Sequence, residues 1–161
     1  MTIGTPAVSS RGMFYYSLLI LFLTTFAVYD VQHKRVPDLA LVCFLPFVLL
    51  SLFINDGADS GYPLFTWMLP ALGAIFGGGI LLSAAMITNG GIGGGDIKLA
   101  AMLGFVYGPY GILLALFFSV PLAFLFGLYE RKYTGNRFFS LPFVPFLAIG
   151  CYAVTILKLY Q

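Results

Sequence analysis

Charge is what this sequence has least of. Asp, Glu, Lys and Arg make up 9% of its 161 residues, eight basic and six acidic, against about 25% in ordinary soluble domains. So few charged side chains do not cover the surface of a water-soluble domain of this size, which excludes a soluble enzyme. The net charge of +2 comes from scattered residues and not from a basic patch, which excludes a nucleic-acid binder. Cysteine is scarcer still. Cys43 and Cys151 both sit inside apolar runs, where a free thiol behaves as a small hydrophobe. Two isolated cysteines support neither a disulfide framework nor a four-ligand zinc site. The glycine-rich stretch near residue 90 is not followed by Gly-Lys-Ser or Gly-Lys-Thr, so it is not a phosphate loop. No small-residue cleavage site follows the first apolar run, which is therefore expected to be retained as a span and not removed as a signal peptide.

What remains is apolar. Hydrophobic residues are 60% of the chain, with 17 Phe and 10 Tyr, and the mean hydropathy is +0.98. Most side chains must face lipid or one another, the signature of a polytopic membrane protein. A helix needs about 20 apolar residues to cross roughly 30 Å of hydrocarbon. Counting shorter stretches that a neighbouring helix shields, six segments are candidates, at about 13–29, 39–54, 65–87, 96–106, 110–129 and 141–160. The expected fold is all-α: a membrane bundle of about six transmembrane helices forming one domain over residues 1–161, with no internal repeat. Gly73 and the Gly77-Gly78-Gly79 run supply small residues for close helix contact in the third segment. The fourth is too short to span alone. It is either a short helix buried in the bundle or it continues through the Tyr107-Gly108-Pro109 break.

Lys and Arg collect in cytoplasmic loops. With the N-terminus outside, Lys34, Arg35, Lys98, Arg131, Lys132 and Arg137 fall on the cytoplasmic side, against Arg11 and Lys158 outside. The expected topology has both termini outside, with the Asn55 to Pro63 loop outside as well.

Charge inside a bilayer costs about 2.5–3.5 kcal/mol per Asp at a helix centre, so an acid at the edge of an apolar run demands a reason. Asp30 ends the first run and Asp96 opens the fourth, both at cytoplasmic ends in this topology. Two adjacent carboxylates share one proton. The ionised partner deprotonates a water while the protonated partner polarises a carbonyl oxygen, with no metal or cofactor. Spacing alone is equally satisfied by structural roles, with Asp30 capping its helix against Lys34 and Arg35, and Asp96 as a first-turn acid favoured by the helix dipole. Five of the six residues from Gly90 to Gly95 are glycine, a backbone that lets an extended peptide approach closely. His33 reads as a loop residue and not as a catalytic base.

These residues resemble a known family. Gly93-Gly94-Gly95-Asp96-Ile97-Lys98-Leu99 is similar to the GxGDxKL signature of type IV prepilin peptidases, which are membrane GxGD aspartic proteases. Asp30 followed by Pro37-Asp38 resembles that family's second motif, and Leu141-Pro142-Phe143-Val144-Pro145-Phe146 resembles the segment that opens its last helix. The resemblance implies Asp30 and Asp96 as the catalytic pair. It implies a substrate-facing turn at Gly93, Gly94 and Gly95, and a role for Lys98 in placing Asp96 or contacting substrate. The implied activity is cleavage of the short basic leader from prepilin or pseudopilin-like precursors, at the cytoplasmic face of the cell membrane. No CxxC pair of the larger members is present, which implies the short, peptidase-only type without N-methyl transfer. Two other classes compete. A small proton-coupled transporter predicts acids and broken helices near the midplane. A non-catalytic pilus or secretion assembly protein of the same fold predicts loss of one Asp, and both are present.

Overall fold

A computed structural model describes residues 10–33, 36–54, 63–87, 92–134 and 142–160. The described residues are helical apart from short connecting positions: α1 (Ser10–His33), α2 (Asp38–Ile54), α3 (Pro63–Ile87), α4 (Gly94–Thr134) and α5 (Val144–Tyr160). Three stretches are long and apolar enough to cross a membrane, Gly12–His33, Trp67–Ile87 and Gly94–Tyr129, while α2 and α5 supply shorter apolar helices. The protein is a membrane helical bundle.

The Gly94–Tyr129 stretch would be about 54 Å long if straight. It is not straight. Gly108 has φ 74° and ψ 177°, a backbone region open essentially to glycine alone, and Pro109 then restarts the helix with φ already set. A Cβ built on Gly77 would overlap the Ala100 carbonyl oxygen and stand 3.0 Å from Ile112 Cγ1. In one continuous rod those two residues would be about 18 Å apart, so α4 doubles back at Gly108. Its first arm, 94–107, is about 21 Å long. Of the two alternatives left open by the sequence, the short buried helix is the one found, with Leu99, Ala100, Leu103, Val106 and Tyr107 all buried. With the two arms counted separately, six helical rods stand among the described residues.

The first arm is short and carries little surface, so α3 holds it by backbone contact. A Cβ on Gly73 would overlap the Gly104 carbonyl oxygen, one on Gly104 would overlap the Gly73 carbonyl, and one on Gly78 would lie 3.1 Å from Ala101 Cβ. Gly79, fourth of the expected small residues, faces open space. On the other side α1 packs against α2 through rings, with Tyr15 stacked on Phe47 at 4.6 Å and Phe26 edge-on to Phe44 at 5.6 Å. α5 lies between α1 and the second arm. Its Thr155 hydroxyl shares a 2.7 Å hydrogen bond with Tyr107, its Tyr152 hydroxyl shares one of 2.9 Å with Thr24, and its Gly150 lies on the Ala115 carbonyl. Cys151 is buried in this core, whereas Cys43 is exposed on the outer face of α2.

These antiparallel pairings bring one end of α1, α2, α4 and α5 together. The last turn of α1 meets the first turns of the other three there.

Candidate active site

Asp30 lies three residues before the end of α1. That is the wrong end for an acid, since the C-terminal half of a helix dipole is negative. It is nonetheless 2% exposed, and a buried carboxylate needs a donor. The donor comes from the far end of the chain: the Val144 backbone N–H donates to Asp30 Oδ2 at 3.1 Å. Phe143 caps α5, its carbonyl accepting from Phe146 and Leu147 at 3.1 Å each, so Val144 is the first residue inside the helix and its N–H is one of the orphan donors of a helix start.

Asp96 is held differently. The Gly93 carbonyl accepts from Asp96 and Ile97 at 3.1 and 3.4 Å, which makes Gly93 the cap and Asp96 the third residue of α4. From that position an acidic side chain reaches back to the cap, as in a capping box, and the Asp96 carboxylate takes a hydrogen bond from the Gly93 backbone. Asp96 is 7% exposed, and the charge on Asp30 acts on it. The first-turn role and proximity to Asp30 are therefore compatible in one carboxylate.

The glycines divide. A Cβ on Gly95 would lie 2.8 Å from Val36 Cβ and 3.0 Å from the Val36 carbonyl oxygen, so Gly95 lets the start of α4 close onto the connection between α1 and α2. Gly94 has nothing within 4 Å, and the open side of Gly93 meets only the Asp96 carboxylate, at 3.3 Å. Both are exposed and leave room for an approaching peptide. Gly90 and Gly91 lie outside the described residues. Lys98 Nζ donates to Asp38 Oδ1 at 2.7 Å, with both side chains largely exposed, tying the first turn of α2 to that of α4. His33 is not in a loop: it ends α1, stacked on Tyr29 at 4.2 Å, because the helix runs a turn further than its apolar run.

Three participants escaped sequence reasoning: the Val144 N–H, Val36 as the stop against Gly95, and Asp38 as the partner of Lys98. Asp38 had a signal, as the last residue of the Asp30 to Asp38 motif. The prolines at 142 and 145 marked the start of the last helix, but nothing local points a backbone N–H at residue 30. Among the described residues no three His, Cys, Asp or Glu side chains cluster to hold a metal ion. Two buried carboxylates beside an open glycine turn can activate a water and protonate a carbonyl oxygen against it.

A family model described as the type IV leader peptidase family matches residues 17–128, a span that contains both acids. A curated protein of Bacillus subtilis (strain 168), the prepilin leader peptidase/N-methyltransferase, is 39% identical over 138 residues, which is 84% of this chain and 51% of that protein. The chain thus spans about half the length of the curated relative it matches. No solved structure matches it.

Proposed function

The chain belongs to the type IV leader peptidase family, and on that premise we propose that it is a membrane aspartic endopeptidase. It cleaves the short basic leader from prepilin or pseudopilin-like precursors with Asp30 and Asp96 as an acid pair. The ionised member takes a proton from water as the oxygen adds to the scissile carbonyl carbon. The protonated member gives its proton to the carbonyl oxygen. Collapse of the tetrahedral intermediate then breaks the C–N bond as the leaving nitrogen takes a proton from the pair. The titration belongs to the pair and not to either residue.

One observation carries this reading: two acids 66 positions apart in sequence are buried at one end of the bundle, where the charge of Asp30 acts on Asp96. Burying a second carboxylate beside a first is costly, and shared-proton chemistry is what such a pair offers. Gly93 and Gly94 form the turn against which the extended leader lies, while Gly95 and Lys98 hold the start of α4. The acid end faces the cytoplasm, with both termini outside, as the distribution of Lys and Arg favours. The transporter reading asks for a helix break at the acids. The break in α4 lies instead at Gly108, about 18 Å along the arm from Asp96. The proposal covers the peptidase step alone.

Asp30→Asn and Asp96→Asn each abolish cleavage of a co-expressed prepilin while the protein remains folded in the membrane. Full processing by either variant defeats the two-acid mechanism. A reporter fused in the expected Asn55 to Pro63 loop reads as external, and a cytoplasmic signal there inverts the topology.

A further inference from the structure

The family match ends at residue 128, yet the donor that holds Asp30 is Val144. We propose that the first turn of α5 is a positioning element of the acid pair, with the Val144 backbone N–H setting the direction of the Asp30 carboxylate. This rests on the two-acid reading and adds to it a residue that reading does not contain.

The first donors of a helix have no partner within it. In α5, Pro145 has no N–H to offer and Phe146 donates to the Phe143 carbonyl. Among residues 144–146, the Val144 N–H is the donor turned out of the helix, and it ends on Asp30 Oδ2 at 3.1 Å. The bond is dry: Val144 is 0% exposed and Asp30 2%. A hydrogen bond to a charged group is strongest in such a place, and its loss costs most there. α5 is itself held along its length by Thr155 on Tyr107, Tyr152 on Thr24 and Gly150 on Ala115, so its first turn has little freedom to drift. Asp96 draws its anchor from its own helix start, whereas the donor to Asp30 among the described residues belongs to another helix. The orientation of Asp30 therefore depends on α5.

Proline is well tolerated at the first position of a helix, so Val144→Pro deletes this N–H where the helix can bear it, and Val144→Thr keeps the N–H in nearly the same shape. The full-length protein in detergent micelles is assayed on a synthetic precursor with a basic leader, a Gly before the scissile bond and an apolar helix. Val144→Pro lowers kcat by about 10- to 100-fold with KM unchanged, and Val144→Thr stays within about threefold of the parent. Should Val144→Pro not fold, an amide-to-ester replacement at 144 removes the N–H, keeps the side chain and shows the same fall in kcat. Parental kcat in a folded N–H deletion, with Asp30→Asn inactive, overturns the proposal and leaves the acid pair standing. An active Asp30→Asn removes the acid pair and the proposal with it.

Discussion

The seam between α3 and α4 and the acid end of the bundle solve opposite problems. At the seam, Gly73 and Gly104 lie so close that a Cβ on either would overlap the other's carbonyl oxygen. No titratable group takes part in that contact. Lipid gives helices no hydrophobic reason to associate, so van der Waals contact between backbones must do it. At the acid end, Asp30, Val36, Asp38, the first turn of α4 and Val144 meet through a few directional bonds and one tight glycine contact. The seam provides rigidity, and the acid end uses that rigidity to hold polar groups in register. A side chain added at the seam should therefore unfold the protein, while one added at the acid end should spoil catalysis in a folded one.

The largest effect is expected at the seam. Gly73→Leu drives a side chain into the Gly104 carbonyl, and the cost exceeds the roughly 1–3 kcal/mol of ordinary overpacking because the clash is with backbone. Thermal unfolding in detergent should show little or no folded protein. Gly79→Leu, on the same helix and facing open space, should melt like the parent, within about 0.5 kcal/mol. A folded Gly73→Leu would mean that the seam is softer than its geometry.

Gly95→Ala comes next and tests the other half of the contrast. Its Cβ would meet Val36 at 2.8 Å, pushing the start of α4 away from the α1–α2 connection and Asp96 away from Asp30. Misplacement of about 1 Å can cost a hundredfold in rate, and a shift of a few tenths should cost about tenfold in precursor processing with the melting temperature nearly unchanged. Gly94→Ala, with nothing within 4 Å, should leave the start of α4 in place, so that its loss falls on KM for the precursor and not on kcat. Equal kcat values for these two variants would show that the Val36 contact does not set the spacing of the acids.

The smallest effect belongs to Lys98. Its bond to Asp38 is short, but the side chains are 57% and 73% exposed, and pairs of this kind contribute about 0–1 kcal/mol and weaken in salt. Lys98→Ala should lower processing by less than about threefold, and the exchange Asp38→Lys with Lys98→Asp should recover most of that. A loss of a hundredfold would make Lys98 a substrate contact and not a tie between two helices.

Much of the fold was legible before any coordinates. Long apolar runs and the Gly108-Pro109 break follow from local preferences and from the thickness of a bilayer. Three of the four glycines expected to bring α3 close to its neighbour do so, because small-residue spacing is a local pattern. At the candidate site Asp30 and Asp96 stood out by cost alone, being acids at the edges of apolar runs. The partners of those acids did not stand out. Val144 reaches Asp30 across 114 positions, and a backbone N–H has no side-chain identity by which to be noticed.

The sequence by itself determined that this chain lives in a bilayer and which two acids it can least afford to bury without cause. Composition and period decide these matters residue by residue. Tertiary structure alone decided that α4 folds back on itself, that Gly95 closes onto Val36 while Gly94 stays open, and that α5 lends a donor to α1. Those outcomes depend on which helix ends meet, and that follows from packing the whole bundle, since a buried carboxylate takes whatever donor the fold brings within reach.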